Sequence, residues 1–149
     1  MEDLSNKVVA ITGGATGIGF ALAKSLGVEG AKIIIGEPRQ EALNSAIARL
    51  SELGIEAISA PLDVANLSSV EAFADVAWEH YGQVDMLINN AGIFGPRGMT
   101  AENMDYAKWE QVLRTNTLSP LKIAATFAKN LAAGRQKNIF WPVARSAGR

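Results

Sequence analysis

The sequence predicts an α/β fold: a doubly wound parallel sheet of about five strands with helices on both faces. Three observations carry that expectation. Short β-prone runs, Val8 to Ile11, Lys32 to Ile35 and Val84 to Ile88 among them, alternate with longer stretches whose apolar residues recur at helical spacing. Apart from Lys32 and Asp85 these runs are apolar throughout, as strands buried on both faces must be. Glycine or proline punctuates most of the passages between them. Strands alternating with helices make βαβ units, with a parallel sheet and right-handed crossovers.

The first strand runs without a gap into a glycine-rich turn, Thr12-Gly13-Gly14-Ala15-Thr16-Gly17-Ile18-Gly19, and a helix opens behind it. Ile18, Ala21, Leu22, Ser25 and Leu26 form its expected apolar stripe, and Gly30 its stop. Lys32 to Gly36 reads as the second strand, and Glu37-Pro38-Arg39 follows it. A helix carrying Ala42, Leu43, Ile47, Leu50 and Leu53 is closed by Gly54. Ile55 to Ala60 reads as the third strand, broken by Pro61. Asp63-Val64-Ala65-Asn66 leads into a helix with Val70, Phe73, Ala74, Ala77 and Trp78 on one face. Asn66 or Ser68 suits its cap, and Ser68 with Glu71 has capping-box spacing.

Val84 to Ile88 forms the fourth strand, ended by Asn89-Asn90-Ala91-Gly92. A glycine- and proline-rich loop spans Gly92 to Gly98. Helices are expected from about Asp105 to Arg114 and from about Leu118 to Leu131, the second ending at Gly134. Asn138 to Trp141 reads as the fifth strand, stopped by Pro142. No repeat, low-complexity tract or boundary interrupts the pattern, so residues 1–149 are expected to be one domain.

Composition excludes several classes. Hydrophobic content of 48% with 19% charged residues fits a globular chain rather than a disordered one. A formal net charge of −1 gives no electrostatic footprint for nucleic acid or an anionic membrane. Met1-Glu2-Asp3-Leu4 is acidic where a signal peptide is basic, and no apolar run is long enough to span a bilayer, so a cytoplasmic location is expected. The absence of cysteine rules out disulfides and thiolate sites, and a single His80 makes no multi-histidine centre, so no metal is expected.

A buried strand feeding a glycine turn that opens a helix suits a phosphate. The first N–H groups of the helix lack intrahelical partners and sit at the positive end of its dipole. Glycines let the backbone turn tightly and approach an anion with no Cβ in the way. Such turns also occur in α/β proteins that bind nothing, so the turn alone leaves both readings open.

The order of motifs resembles the short-chain dehydrogenase/reductase family. Thr12-Gly13-x-x-x-Gly17-x-Gly19, Asp63-Val64, Asn89-Asn90-Ala91-Gly92 and Asn116 match four of its motifs, on the expected elements. The resemblance covers the chain up to the fifth strand and implies a Rossmann-type sheet in the order 3-2-1-4-5. It implies that Gly13, Gly17 and Gly19, with Ile18 in the same turn, bring backbone against the pyrophosphate of a nicotinamide dinucleotide. Asp63 and Val64 would flank the adenine; a plain turn or capping carboxylate is the other reading of Asp63. Asn89 and Asn90 would tie the central strands together, Asn90, Ala91 and Gly92 would line the cofactor groove, and Thr12 would bond nearby backbone. Glu37 follows Gly19 at roughly the 20-residue distance at which a carboxylate accepts from the ribose hydroxyls. A carboxylate there repels a 2′-phosphate, so NAD is the expected cofactor and NADP, which Arg39 could reach, the alternative.

The family's chemistry pairs a tyrosine with a lysine four residues later, the ammonium lowering the phenol's pKa for proton exchange with an alcohol or carbonyl substrate. Here Tyr81 is followed at that spacing by Asp85 and Tyr106 by Glu110, and the family's serine position falls on Arg145, beside Ser146. Of the catalytic set only Asn116 has a match. The chain therefore reads as the family's cofactor-binding part, lacking its C-terminal catalytic and substrate portion. The resemblance implies hydride transfer between a nicotinamide and an alcohol or carbonyl, with substrate bound only if a longer chain completes the site. The alternatives are a truncated, inactive nucleotide-binding module and a dimerisation module. A homo-oligomer burying Trp109, Val112, Leu121, Ile123 and Phe127 is expected, because in the family those helices pack between subunits.

Overall fold

A computed structural model of the chain describes residues 4–98, 100–131 and 138–140. Val8–Thr12 (β1), Lys32–Glu37 (β2), Ala57–Pro61 (β3) and Met86–Asn89 (β4) pair in parallel in the expected order β3-β2-β1-β4, and the three residues Asn138–Phe140 (β5) pair with β4. The helices are Gly17–Val28 (α1), Gln40–Glu52 (α2), Leu67–Tyr81 (α3), Tyr106–Leu113 (α4) and Ser119–Leu131 (α5).

Strand side chains point alternately to opposite faces, and the apolar runs divide accordingly. Val8, Ala10, Ile34 and Leu87 pack with Phe73 of α3 and with Ile123 and Phe127 of α5. Val9, Ile11, Ile33 and Ile35 pack with Phe20 and Ala23 of α1 and with Leu43 and Leu50 of α2. At the amino ends of the strands, buried Asp85 accepts from the Val8 amide at 2.9 Å, tying the approach to β4 to β1. No helix among the described residues is long and apolar enough to cross a membrane.

Several expectations need correcting. The stripe of α1 is turned from the one expected: Gly19, Phe20 and Ala23 are buried, whereas Ile18 is 61% exposed. Gly19 must face the turn for α1 to approach β1, and that fixes the helix's rotation. Trp78 is exposed rather than on the packed face of α3. Asn66 caps α3 by accepting from the Ser69 amide at 3.3 Å, and Pro61 ends β3 inside the strand, tolerated because β3 is an edge.

Ile123 and Phe127 lie in the chain's own core, the Phe127 ring 5.8 Å from that of Phe73, and so are not available to a partner. The two helices expected after Gly98 form one continuous run joined by a π turn at Arg114–Leu118. Pro120 has no N–H to donate to the Asn116 carbonyl four residues back, and the Ser119 amide and hydroxyl both reach the Arg114 carbonyl, five back. Gly134 and the segment after Phe140, Arg145 included, lie outside the described residues.

Candidate functional site at the carboxyl ends of the strands

The sheet order reverses between β1 and β4, and open α/β sheets bind ligands at such a switch point, beyond the carboxyl ends of the strands. Gly13 and Gly17 adopt φ of +64° and +53°, the left-handed region that turns the chain from β1 into α1. Around Gly17 the Cβ position is open space. Gly19 is constrained differently: a Cβ there would overlap the Gly13 carbonyl oxygen and come within 2.6 Å of Asn90 Nδ2. The three glycines therefore differ in what they do. Gly13 and Gly17 make the turn, and Gly19 lets α1 sit down upon it. Thr16 enters α1 extended and its side chain makes no cap, so the helix presents bare N–H groups beside exposed Ile18.

Thr12 and Asn90 fasten this turn to β4. The Thr12 hydroxyl accepts from the amides of Asn90 at 3.1 Å and Ala91 at 3.0 Å. Asn90 Nδ2 donates to the carbonyls of Thr12 at 3.0 Å and Gly13 at 3.1 Å. Asn89 takes no part in this fastening, because its side chain is buried with neither amide atom hydrogen-bonded. Gly36, which the sequence did not single out, closes the other side, its carbonyl accepting from Gly13 N at 2.7 Å.

Glu37 ends β2 with its side chain 9% exposed, and Arg39 Nε donates to its Oε1 at 2.6 Å. The carboxylate expected to meet a ribose is thus already paired, through a guanidinium that is largely in solvent. Asp63 Oδ1 accepts from Ala65 N at 2.9 Å and Asp63 N donates to Ser69 Oγ at the same distance. One carboxylate oxygen therefore serves the turn while Oδ2 makes no bond there, and Val64 packs partly buried against the core. Ser69, six residues beyond Asp63, carried no signal.

Asn116 sits in the π turn, and its amide is committed to the loop after β4: Oδ1 accepts from Ile93 N at 2.9 Å and Nδ2 donates to Ile93 O at 2.8 Å. Gly92 gives it room, since a Cβ there would lie 3.3 Å from Asn116 Oδ1. Both amide atoms of the side chain thus tie the π turn to that loop. The structure thus gathers Gly13, Gly17, Gly19, Asn90, Ala91, Gly92 and Asn116 around the β1/β4 switch point, with Glu37 and Asp63 at the ends of β2 and β3. An extended anion fits that arrangement: open space over Gly17, uncapped helix N–H groups and carboxylates off to one side.

A sequence model of the family described as short chain dehydrogenase matches residues 7–140. The 2-dehydro-3-deoxy-D-gluconate 5-dehydrogenase of Formosa agariphila is 33% identical over 141 residues, covering 92% of this chain and 53% of that protein. A metagenomic short-chain oxidoreductase solved in complex with NADP is 30% identical with a TM-score of 0.84, covering 93% of this chain and 62% of that one. A short-chain dehydrogenase/reductase from Burkholderia phymatum solved in complex with NAD is 30% identical with a TM-score of 0.81, covering 88% and 46%. The chain spans about half the length of the curated relatives it matches.

Proposed function

The chain belongs to the short-chain dehydrogenase family, and on that premise we propose that it carries the NAD(P)-binding half of an oxidoreductase. The reaction class is hydride transfer between a nicotinamide and an alcohol or carbonyl. The observation that carries this reading is the turn between β1 and α1, with its two left-handed glycines, open Gly17 and bare helix N-terminus. Relatives solved with NADP and with NAD support it.

When bound, the nicotinamide supplies the hydride acceptor or donor. The chain's own residues bind and orient. Backbone N–H groups of Gly17 to Gly19 face the pyrophosphate. Glu37 accepts from the adenosine ribose and Asp63, through Oδ2, from the adenine amino group, with Val64 beside the ring. Asn90, Ala91 and Gly92 wall the groove over β4, and Asn116 holds that wall in place. NAD is the cofactor favoured by the Glu37 carboxylate; Arg39, released from it, is the group that would admit NADP.

Neither tyrosine of this sequence has a lysine four residues on, so these residues are assigned binding and orientation and no proton exchange. An inactive nucleotide-binding module is the second reading of the same residues. The same site is built in either case, and a single domain over 1–149 is proposed for both. A homodimer is proposed across the outer face of α4 and α5, where Trp109, Leu113 and Leu121 are 39%, 57% and 55% exposed.

Calorimetric titration with NAD, NADP and ADP-ribose tests the reading. Saturable binding of NAD and ADP-ribose is expected, with NADP weaker. No binding of any of the three at millimolar concentration would overturn it.

A further inference from the structure

Helix α4 buries none of its residues, yet it touches the loop that continues from the groove wall. The Trp109 indole lies on Gly95: a Cβ built there would come within 2.8 Å of Cη2, 3.0 Å of Cζ3 and 3.2 Å of Cζ2. Gly95 has no left-handed φ, so glycine is needed there for room and not for backbone freedom. Asn116, in the π turn of the same helical run, grips Ile93 through both amide atoms. Trp109 and Asn116 are seven positions apart in the same helical run, and they hold residues two apart in the loop.

We infer that Trp109 is a positioning residue for this loop, acting with Asn116 as a two-point clamp on Ile93–Gly95; the inference rests on the proposed dinucleotide site. With the adenosine end assigned to Glu37 and Asp63 beyond β2 and β3, the other end of a dinucleotide extends over β4, where this loop begins. The loop, with Gly92, Gly95, Pro96 and Gly98, has little side-chain packing to order it. A wall that must be ordered on binding subtracts that cost from affinity, and a clamp removes the cost beforehand.

The experiment compares W109A, W109F, G95A and the W109A/G95A pair in the full chain. NAD and ADP are titrated by calorimetry, and amide hydrogen exchange over residues 92–95 is followed without nucleotide. W109A is expected to weaken NAD by about tenfold while leaving ADP within about twofold, and W109F to recover most of the loss. G95A pushes the indole away from the loop side and leaves the outer face of α4 untouched, so it should act like W109A. The double variant should be no worse than W109A, because without the indole the methyl added at position 95 has space. Exchange over 92–95 should quicken in W109A and G95A. Equal losses for NAD and ADP would make Trp109 merely structural, and unchanged exchange with unchanged NAD affinity would remove the clamp. If the parent chain binds neither nucleotide, the dinucleotide reading fails, and unchanged exchange overturns the clamp on its own terms.

Discussion

Asn116 holds Ile93 as one strand holds another, accepting from its amide at 2.9 Å and donating to its carbonyl at 2.8 Å. The pair joins the π turn to the loop after β4, two segments far apart in sequence. Asn116→Ala should cost about 1 kcal/mol, since water reaches the freed groups of exposed Ile93. Asn116→Asp should be no better, because a carboxylate oxygen would then face the Ile93 carbonyl. Urea unfolding together with the exchange rate of the Ile93 amide checks both.

Gly19 and Gly17 are expected to respond differently to the same added methyl. Gly19→Ala forces α1 off the Gly13 carbonyl and should cost about 1–3 kcal/mol. Gly17→Ala meets open space and bears only its left-handed backbone, about 1 kcal/mol. Denaturant midpoints of the two variants measure the difference.

The Arg39–Glu37 pair sets which cofactor is preferred. Removing Glu37 takes away the charge that repels a 2′-phosphate and frees Arg39, so Glu37→Ala should raise NADP affinity relative to NAD by about tenfold. Arg39→Ala leaves the carboxylate unpaired and should lower that ratio. The effect should shrink with added salt, because the guanidinium is largely in solvent. Titrations at two ionic strengths check this.

Tyr81 gives the fold an alkaline limit. Burial, and then the charge of Glu56, push its phenol up from 10.0 to about 12, and its hydroxyl donates to the Ile33 carbonyl at 3.2 Å. The protonated form is the one the fold favours. Its contribution is complete below about pH 10 and is lost as pH rises toward 12. Unfolding free energy should fall across that window, and Tyr81→Phe should flatten the fall.

The fold was legible because each apolar run had to satisfy two packed faces, and Val8–Ile11 against Ile33–Ile35 leaves few other arrangements. The glycine turn was legible for a similar reason: its spacing encodes backbone geometry directly. What escaped was set by tertiary contact. The rotation of α1 follows from Gly19 meeting a carbonyl six residues earlier, which periodicity does not report. The burial of Ile123 and Phe127 depends on Phe73 lying opposite, and the commitment of Asn116 to Ile93 depends on a π turn whose one sequence trace is Pro120. The Glu37–Arg39 bond is within reach of the sequence, since opposite charges two residues apart flank the end of β2.

Everything proposed for the site depends on the β1–α1 turn and the β4 loop forming one dinucleotide groove. Backbone amide chemical-shift mapping during titration with NAD tests that most directly. The largest shifts are expected at Gly13 to Gly19 and Ala91 to Ile93, smaller ones at Glu37 and Asp63, and none in the cleft of Lys32, His80 and Tyr81 at the amino ends of the strands. Shifts confined to that opposite cleft, or none at all at millimolar NAD, would contradict a shared groove.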